Sequence, residues 1–378
     1  MRVAMITNYP VDPKILPGGI AAAAHYLVKG LARIPALELH VVCCQSDVDY
    51  AREESRDGVR VHFLPDPDRF SLLTNQRFPR QKIREALRRI APDLVHAQGL
   101  GLSTQAALDS GLPFAVTLHG IIWRESRVPL PSLVKRLRGR IRARRARAQI
   151  LKTDNVFVIS EYAARALPPA KSFRKFVVNN PVGEEIFAIR NRPGHPHVLV
   201  VGGLRERKDP MTALRVMERV LRDVPHATMD LLGPPSNTSL DNEVARSIEE
   251  RALSKSIRVL GLVPEATLWD EYRKASVLLM TSLEETAPMA IGEAYAAGIP
   301  VVGTDAGGIP FIVREGETGF VRPVKDVEAL AQAVIHLLEK PELRARLAEN
   351  AKRVGRAEFS LESISRRTFA AYGEILST

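Results

Sequence analysis

Residues 277–303 read VLLMTSLEETAPMAIGEAYAAGIPVVG. The unbroken apolar run Val277–Met280 suits a strand buried on both faces, and Pro300–Gly303 suits a second. Between them, Thr281–Ala287 is a loop and the rest is helical, with Pro288 where a first helical residue belongs and Gly298 where the residue past a helix end belongs. Strand, loop, helix and strand in so short a span is the parallel βαβ unit, whose polar loop lies at the carboxyl end of its first strand.

The same alternation extends outward from this unit in both directions. Strands are expected at Val3–Thr7, Leu39–Cys44, Val59–Leu64, Leu94–Ala97, Phe114–Leu118, Val156–Ile159 and Phe176–Val178, with helices such as 20–32, 81–90 and 102–110 between them. Turn formers then gather at Asn180–Pro181, Gly183 and Arg190–His197, where a domain boundary is expected. A second series follows: strands at His197–Val201, Ala227–Leu232 and Ile257–Leu260 and helices at 210–222, 241–253 and 265–274 lead into the opening stretch. The fold class is therefore α/β, with two Rossmann-like doubly wound domains facing a cleft. The N-terminal domain is set at 1–185 and the C-terminal domain at 190–356. A last amphipathic helix, about 357–378, is expected to pack back on the first domain.

The chain has 378 residues, too many for one ordinary core, and its 45% hydrophobic and 26% charged content is that of a globular protein. No apolar run reaches the ~18–20 residues of a membrane-spanning helix, and the first ten residues read as a strand rather than a signal peptide. Cys43 and Cys44 are adjacent, which suits small buried strand residues rather than a disulfide and fits a reducing, cytoplasmic setting. The net charge of +11 favours anionic ligands. Much of it sits in Lys135, Arg136, Arg138, Arg140, Arg142, Arg144, Arg145 and Arg147, on a helical pattern that also carries Leu133, Val134, Leu137 and Ile141. Such a helix suits an anionic membrane surface or a negatively charged acceptor, while the lack of interleaved aromatics speaks against nucleic acid.

Ligands of open α/β sheets bind beyond the carboxyl ends of the strands. Glu285 lies in such a loop, and Glu293 lies roughly 7–8 Å further along the helix at 1.5 Å per residue. The free amides of a helix N-terminus suit a diphosphate. Glu285 could then hold a sugar ring and Glu293 a ribose. Pro288 has no N–H to give, so the amides of Ala287, Met289 and Ala290 would serve the sugar and phosphate. Gly202, Arg205 and Lys208 follow the first strand of the second domain, where cations could neutralise a departing diphosphate. Gly18 and Gly19 allow close approach to a ligand ahead of a helix, and His119 ends the strand Phe114–Leu118. His96, Asn180 and Asp305 end other strands with less to mark them. No metal-ligand spacing occurs, and Asp66-Pro-Asp68 reads as turn chemistry.

Glu285-x7-Glu293, followed by Ala-Tyr-Ala-Ala-Gly-Ile-Pro-Val-Val302, closely resembles the signature of retaining GT-B glycosyltransferases of the family 4, or group 1, type. Gly18–Gly19, Val198–Gly202 with Lys208, Val177-Val-Asn-Asn-Pro181, Gly307–Gly308 and Glu315-Gly-Glu-Thr-Gly319 extend the resemblance over nearly the whole chain, in order. There are departures. Gly203 stands where the family often has Arg, Glu285-Thr-Ala-Pro288 replaces the usual Glu-x-Phe-Gly, and Phe311 stands where an acid is common.

The resemblance implies transfer of a sugar from a nucleoside-diphosphate sugar to an acceptor hydroxyl on a glycan, lipid-linked or small-molecule acceptor. It implies retention, no metal and no further cofactor, and catalytic roles for Glu285, His119, Lys208 and Arg205. Donor contacts would come from Gly18, Gly19, Gly202, Arg205, Lys208, Glu285, Ala287, Met289, Ala290 and Glu293. It also implies acceptor or peripheral membrane contact through 133–147. Two alternatives stay open: a nucleotide-sugar epimerase of the same fold, and a non-catalytic basic surface-binding protein. A dehydrogenase does not, because the first βα turn lacks a Gly-x-Gly-x-x-Gly pattern.

Overall fold

A computed structural model of the chain describes residues 1–12, 18–66, 74–125 and 133–377. The chain divides into two compact units, Met1–Pro181 with Leu361–Thr378, and Val182–Ser360. Pro67 and Asp68 of the acidic turn lie outside the described residues.

In the first unit, β1 (Arg2–Ile6), β2 (Glu38–Gln45), β3 (Arg52–Arg56), β4 (Val59–Pro65), β5 (Leu94–Gln98), β6 (Phe114–Leu118), β7 (Asn155–Val158) and β8 (Arg174–Val177) form one sheet. Their order is β3-β4-β2-β1-β5-β6-β7-β8. The helices are α1 (Gly19–Leu31), α2 (Arg77–Ile90), α3 (Leu102–Ser110), α4 (Ile122–Glu125), α5 (Leu133–Leu151) and α6 (Glu161–Arg165). Alternation along each strand feeds two cores. Met5, Val41, Val61 and Phe63 pack with Leu27 and Leu31 of α1, and Ile6, Val42 and Leu64 pack with Ile83 and Leu87 of α2.

Strand β3, Arg-Glu-Glu-Ser-Arg, has no apolar residue and is the one antiparallel strand of the sheet. It forms because Asp57 and Gly58, both at positive φ, close a two-residue hairpin onto β4. Arg52 and Arg56 then both bond Glu54 and stack on Phe63, at 4.7 and 4.8 Å from its ring centre. Between Arg136 and Arg145 α5 is largely exposed, including Leu137 and Ile141, whereas its end is anchored by buried Ala146 and Ile150.

The second unit carries β9 (His197–Val201), α7 (Pro210–Asp223), β10 (Thr228–Leu232), α8 (Ser239–Glu250), β11 (Ile257–Gly261), α9 (Glu265–Lys274), β12 (Val277–Met280), α10 (Met289–Ala297), β13 (Val301–Thr304), α11 (Ile309–Ile312), β14 (Gly319–Arg322), α12 (Val327–Glu339) and α13 (Pro341–Phe359). The sheet runs β11-β10-β9-β12-β13-β14 and is wholly parallel. Residues Val198, Leu231 and Leu279 face α7 and α12, while Leu199, Leu278 and Met280 face α10. In both sheets the strand order reverses once, between β1 and β5 and between β9 and β12. Doubly wound sheets bind ligands at such a switch point.

The last helix, α14 (Leu361–Leu376), belongs to the first unit. It packs along α1, where a side chain on Gly30 would meet Leu361 O and Ser365 Cβ at 3.1 Å. Its Tyr372 hydroxyl lies 2.6 Å from His96 Nδ1, and Thr117 Oγ1 lies 2.7 Å from His96 Nε2. His96 is therefore a structural bracket between sheet and helix. Burial pushes its ring down to about 3, so it stays neutral where an unfolded histidine, near 6.5, takes a proton. A depressed histidine costs stability as pH falls below the unfolded value, by about 2 kcal/mol at pH 5 for this residue alone. Tyr372→Phe should lower stability by about 1–3 kcal/mol at pH 7, because one buried ring nitrogen loses its partner. Urea unfolding of wild type and variant at pH 7 and pH 5 checks both expectations.

Candidate active site

Three loops of the second unit converge beyond the switch-point strands: 202–209 after β9, 281–288 after β12 and 305–308 after β13. The first two are tied by the backbone, Leu283 N–H donating to Arg207 O at 2.8 Å. The Thr281 hydroxyl adds bonds to Lys208 O and Asp209 O at 3.0 and 2.9 Å. From below, buried Thr304 donates to Ser282 O at 2.6 Å, and Gly308 N–H donates to Glu285 O at 2.7 Å.

The glycine pair 307–308 serves this contact. A Cβ on Gly307 would stand 2.1 Å from Glu285 O, and one on Gly308 would stand 2.0 Å from Thr286 O. Backbone lies against backbone there, and Gly307 is also at φ +54.

The loops deliver a buried ion cluster. Lys208 Nζ lies 2.6 Å from Glu285 Oε1, Ser282 Oγ donates to the same oxygen at 3.0 Å, and Arg207 Nη1 reaches Oε2 at 3.4 Å. The side chains of Glu285 and Lys208 are only 5% and 16% exposed, so the ammonium is fixed by its partner rather than by water. Burial pushes the Glu285 carboxyl up, but Lys208, Arg207 and the Lys208 and Ser282 hydrogen bonds outweigh it and hold it below the usual range. Glu285 is thus an ionised anchor for cations, not the solvated capping acid that a loop position alone suggests.

Gly202 makes room for this lysine. A Cβ there would stand 2.7 Å from Lys208 Cε, and its φ of +147 suits glycine. Gly203 explains the missing family arginine. Its N–H donates to Leu232 O at 2.9 Å, and a Cβ on it would stand 2.4 Å from Pro234 O. No side chain fits without moving that loop. Gly203→Arg should therefore destabilise the second unit by about 1–3 kcal/mol or more rather than restore a family contact, as thermal unfolding would show.

The guanidinium beside Glu285 belongs to Arg207, which also donates to Glu284 O at 3.1 Å. Arg205 is exposed. Helix α10 begins at Met289, with Pro288 as its N-cap rather than its first residue: φ −69 suits either place, but ψ 123 is extended. Ala287 and Met289 are partly exposed and Ala290 is buried near this helix start. Glu293 follows on the same helix, 8% exposed, its Oε2 accepting the Tyr272 hydroxyl at 2.6 Å. Burial outweighs that bond and holds the Glu293 carboxyl above its ordinary value. Asp305 accepts Val324 N–H at 2.9 Å and is a turn residue.

In the first unit, Gly18 has φ +143 and precedes α1, with nothing within 4 Å of where a Cβ would point; Gly19 is the first residue of that helix. His119 Nε2 lies 2.6 Å from Gln98 Oε1, which as an acceptor fixes the ring proton on Nε2. Its Nδ1 is then a buried acceptor with no partner. Burial lowers the ring to about 4, so His119 is neutral near pH 7 and offers a lone pair rather than a proton. Cys43 and Cys44 are buried free thiols.

Sequence reasoning missed Arg207, Ser282, Thr304 and Tyr272. Arg207 and Ser282 had a signal, since they lie one and three residues from Lys208 and Glu285; Thr304 is brought in by strand pairing and Tyr272 by helix packing.

Residues 182–354 match the family described as Glycosyl transferases group 1, and residues 17–184 match Glycosyltransferase Family 4. The chain belongs to the family 4, group 1 glycosyltransferases, and its fold is GT-B. It is similar to the D-inositol 3-phosphate glycosyltransferase of Corynebacterium efficiens, 31% identical over 186 residues, 48% of this chain and 44% of that protein. It is also similar to the lipopolysaccharide core biosynthesis mannosyltransferase LpcC of Rhizobium leguminosarum bv. viciae, 29% identical over 51% of this chain and 55% of that one. The chain spans about half the length of the curated relatives it matches.

Among solved structures, sucrose-phosphate synthase from Thermosynechococcus elongatus superposes with a TM-score of 0.79 at 20% identity, covering 100% of this chain and 99% of that one. HepE from Anabaena, in complex with UDP and glucose, gives 0.77 at 16%, covering 99% and 100%. Nothing in these likenesses favours the epimerase or the non-catalytic alternative. Among the described residues no helix is long and apolar enough to cross a membrane.

Proposed function

We propose that this glycosyltransferase moves a sugar from a nucleoside-diphosphate sugar to an acceptor hydroxyl with retention of anomeric configuration, the second unit holding the donor. The observation that carries the proposal is the buried Lys208–Glu285 pair at 2.6 Å, set at the switch point between β9 and β12. An ammonium oriented there by Glu285 is preorganised for a leaving diphosphate, which gains negative charge as the glycosidic bond breaks. The amides of Ala287, Met289 and Ala290 supply further donors, and Arg205 and Arg207 add positive charge. With that much fixed charge the step needs no divalent cation. Glu293, oriented by Tyr272, accepts hydrogen bonds from ribose hydroxyls.

Glu285 is a poor nucleophile, because two cations and a hydroxyl already occupy its oxygens. His119, neutral and with a free Nδ1 lone pair, accepts a hydroxyl proton in a hydrogen bond rather than delivering one. These two facts favour front-side displacement, in which the leaving phosphate oxygen takes the acceptor's proton. The inositol 3-phosphate and lipopolysaccharide core in two relatives' names support a phosphorylated or lipid-linked acceptor, and the UDP bound to HepE supports a nucleoside-diphosphate donor. The exposed cations of α5 would meet such an acceptor or the anionic inner face of a membrane, in a cytoplasmic setting.

Incubation with a panel of nucleotide sugars and acceptors, with the product's anomeric configuration read by NMR, tests this. Retention in the presence of chelator supports it. Inverted product, or epimerised donor without transfer, refutes it.

A further inference from the structure

At the opposite end of β9 from the donor loops, about 16 Å away at 3.3 Å per residue, His197, Asp230 and Glu271 meet inside the second unit. They come from the first residue of β9, the middle of β10 and helix α9, and their side chains are 3%, 1% and 5% exposed. His197 Nε2 lies 3.5 Å from Asp230 Oδ2 and 3.9 Å from Glu271 Oε2. Both separations are too long for a hydrogen bond. His197 Nε2 and Glu271 Oε2 have no other partner.

The other ring nitrogen of His197, Nδ1, lies 2.8 Å from Thr228 Oγ1; with the ring proton on Nδ1 and Thr228 accepting it, Nε2 is left to face an ion. Nε2 and one oxygen of each carboxylate lie within 4.8 Å of one another inside the unit, and the imidazole nitrogen and the Glu271 oxygen have no hydrogen-bond partner there.

We propose that this triad binds a divalent cation of the zinc class. With bonds of about 2.0–2.2 Å, neighbouring ligands of a tetrahedral ion stand about 3.3–3.6 Å apart, a range that holds the 3.5 Å from His197 to Asp230 and falls a little short of the 3.9 Å to Glu271. One imidazole and two carboxylates suit such an ion, water completes the shell, and Thr228 plays the orienting part that ligating histidines ordinarily have.

Two cations already touch the carboxylates: Arg258 holds Asp230 at 2.5 and 2.8 Å, and Lys274 holds Glu271 Oε1 at 2.9 Å. Both side chains are at least half exposed, at 61% and 50%, so each can turn to solvent as an ion enters. The ion replaces their charge on the inner side and pins α9, which also carries Tyr272. Its distance from Lys208 gives it a structural role and leaves sugar transfer metal-free.

The test uses untagged full-length chain, stripped with chelator and titrated with zinc or cobalt alone. One equivalent should bind, with the visible bands of four-coordinate cobalt and a raised melting temperature. His197→Gln and Glu271→Gln should each weaken binding about a hundredfold or more, since losing even an orienting partner costs 10–100-fold. Circular dichroism confirms that they fold. The proposal is overturned if cobalt gives no such bands, or if the folded Glu271→Gln chain binds zinc as tightly as wild type. Neither result bears on donor binding, which the nucleotide-sugar assay reads separately.

Discussion

Glu285→Ala should cost the second unit about 3–5 kcal/mol, the usual result of removing one partner from a buried ion pair. Lys208, 16% exposed, would be left without its carboxylate partner. Arg207 would lose its contact with Oε2 and Ser282 its acceptor. For a unit of this size the melting temperature should drop by roughly 10 °C. Transfer should fall by more than the loss of folded protein explains, because the ammonium no longer points where the diphosphate leaves. Glu285→Gln separates the two effects: its carbonyl still accepts from Ser282 and Lys208, so the fold recovers in part while the field on Lys208 does not. Scanning calorimetry and initial rates on the same preparations are the measurements. If Glu285→Ala melts like wild type, the pair is not the buried anchor described here.

The second large effect belongs to Lys208→Met. Methionine fills much of the same space, so packing around Gly202 survives while the charge is lost. Removing one preorganised donor from a site of developing charge lowers kcat by about 10²–10³-fold, and a similar loss is expected here. Stability should fall as well, since Glu285 then relies on Arg207 and Ser282 alone. The double variant Lys208→Met with Glu285→Gln removes both charges, so it should be more stable than Lys208→Met by about 1–3 kcal/mol yet no more active. A double variant that regains activity would mean that the lysine acts only on the fold.

The sheets were legible because parallel strands buried on both faces must be apolar throughout. Val277–Met280 and Phe114–Leu118 have the same limits in sequence and structure. Strand β3 was not, since it is polar and exists through a hairpin turn and an arginine–phenylalanine stack. Strand β14, Gly-Phe-Val-Arg, sets only two apolar residues between a glycine and an arginine and shows no apolar run.

In the site, residue types and spacing pointed to Glu285, Glu293 and Lys208, but not to what they touch. That Glu285 spends its oxygens on Lys208, Arg207 and Ser282 depends on how loops 202–209 and 281–288 pair, which no local window contains. The glycines show the same divide. Gly202, Gly307 and Gly308 stand out only through the family resemblance, and in the second unit their missing side chains admit Lys208 and the Glu285–Thr286 backbone. Tyr272 and Glu293 are 21 residues apart, and helix packing joins them. The His197 triad spans three elements and has no spacing at all.

Whether the second unit holds a nucleoside diphosphate beside Lys208 is decided most directly by titrating wild type and Lys208→Met with nucleoside diphosphates and their sugars, in chelator, by calorimetry. One nucleotide class should bind wild type at unit stoichiometry and bind the variant at least about tenfold more weakly, a difference of about 1.4 kcal/mol. Equal affinity for both proteins, or no binding to wild type by any nucleotide, would contradict the account.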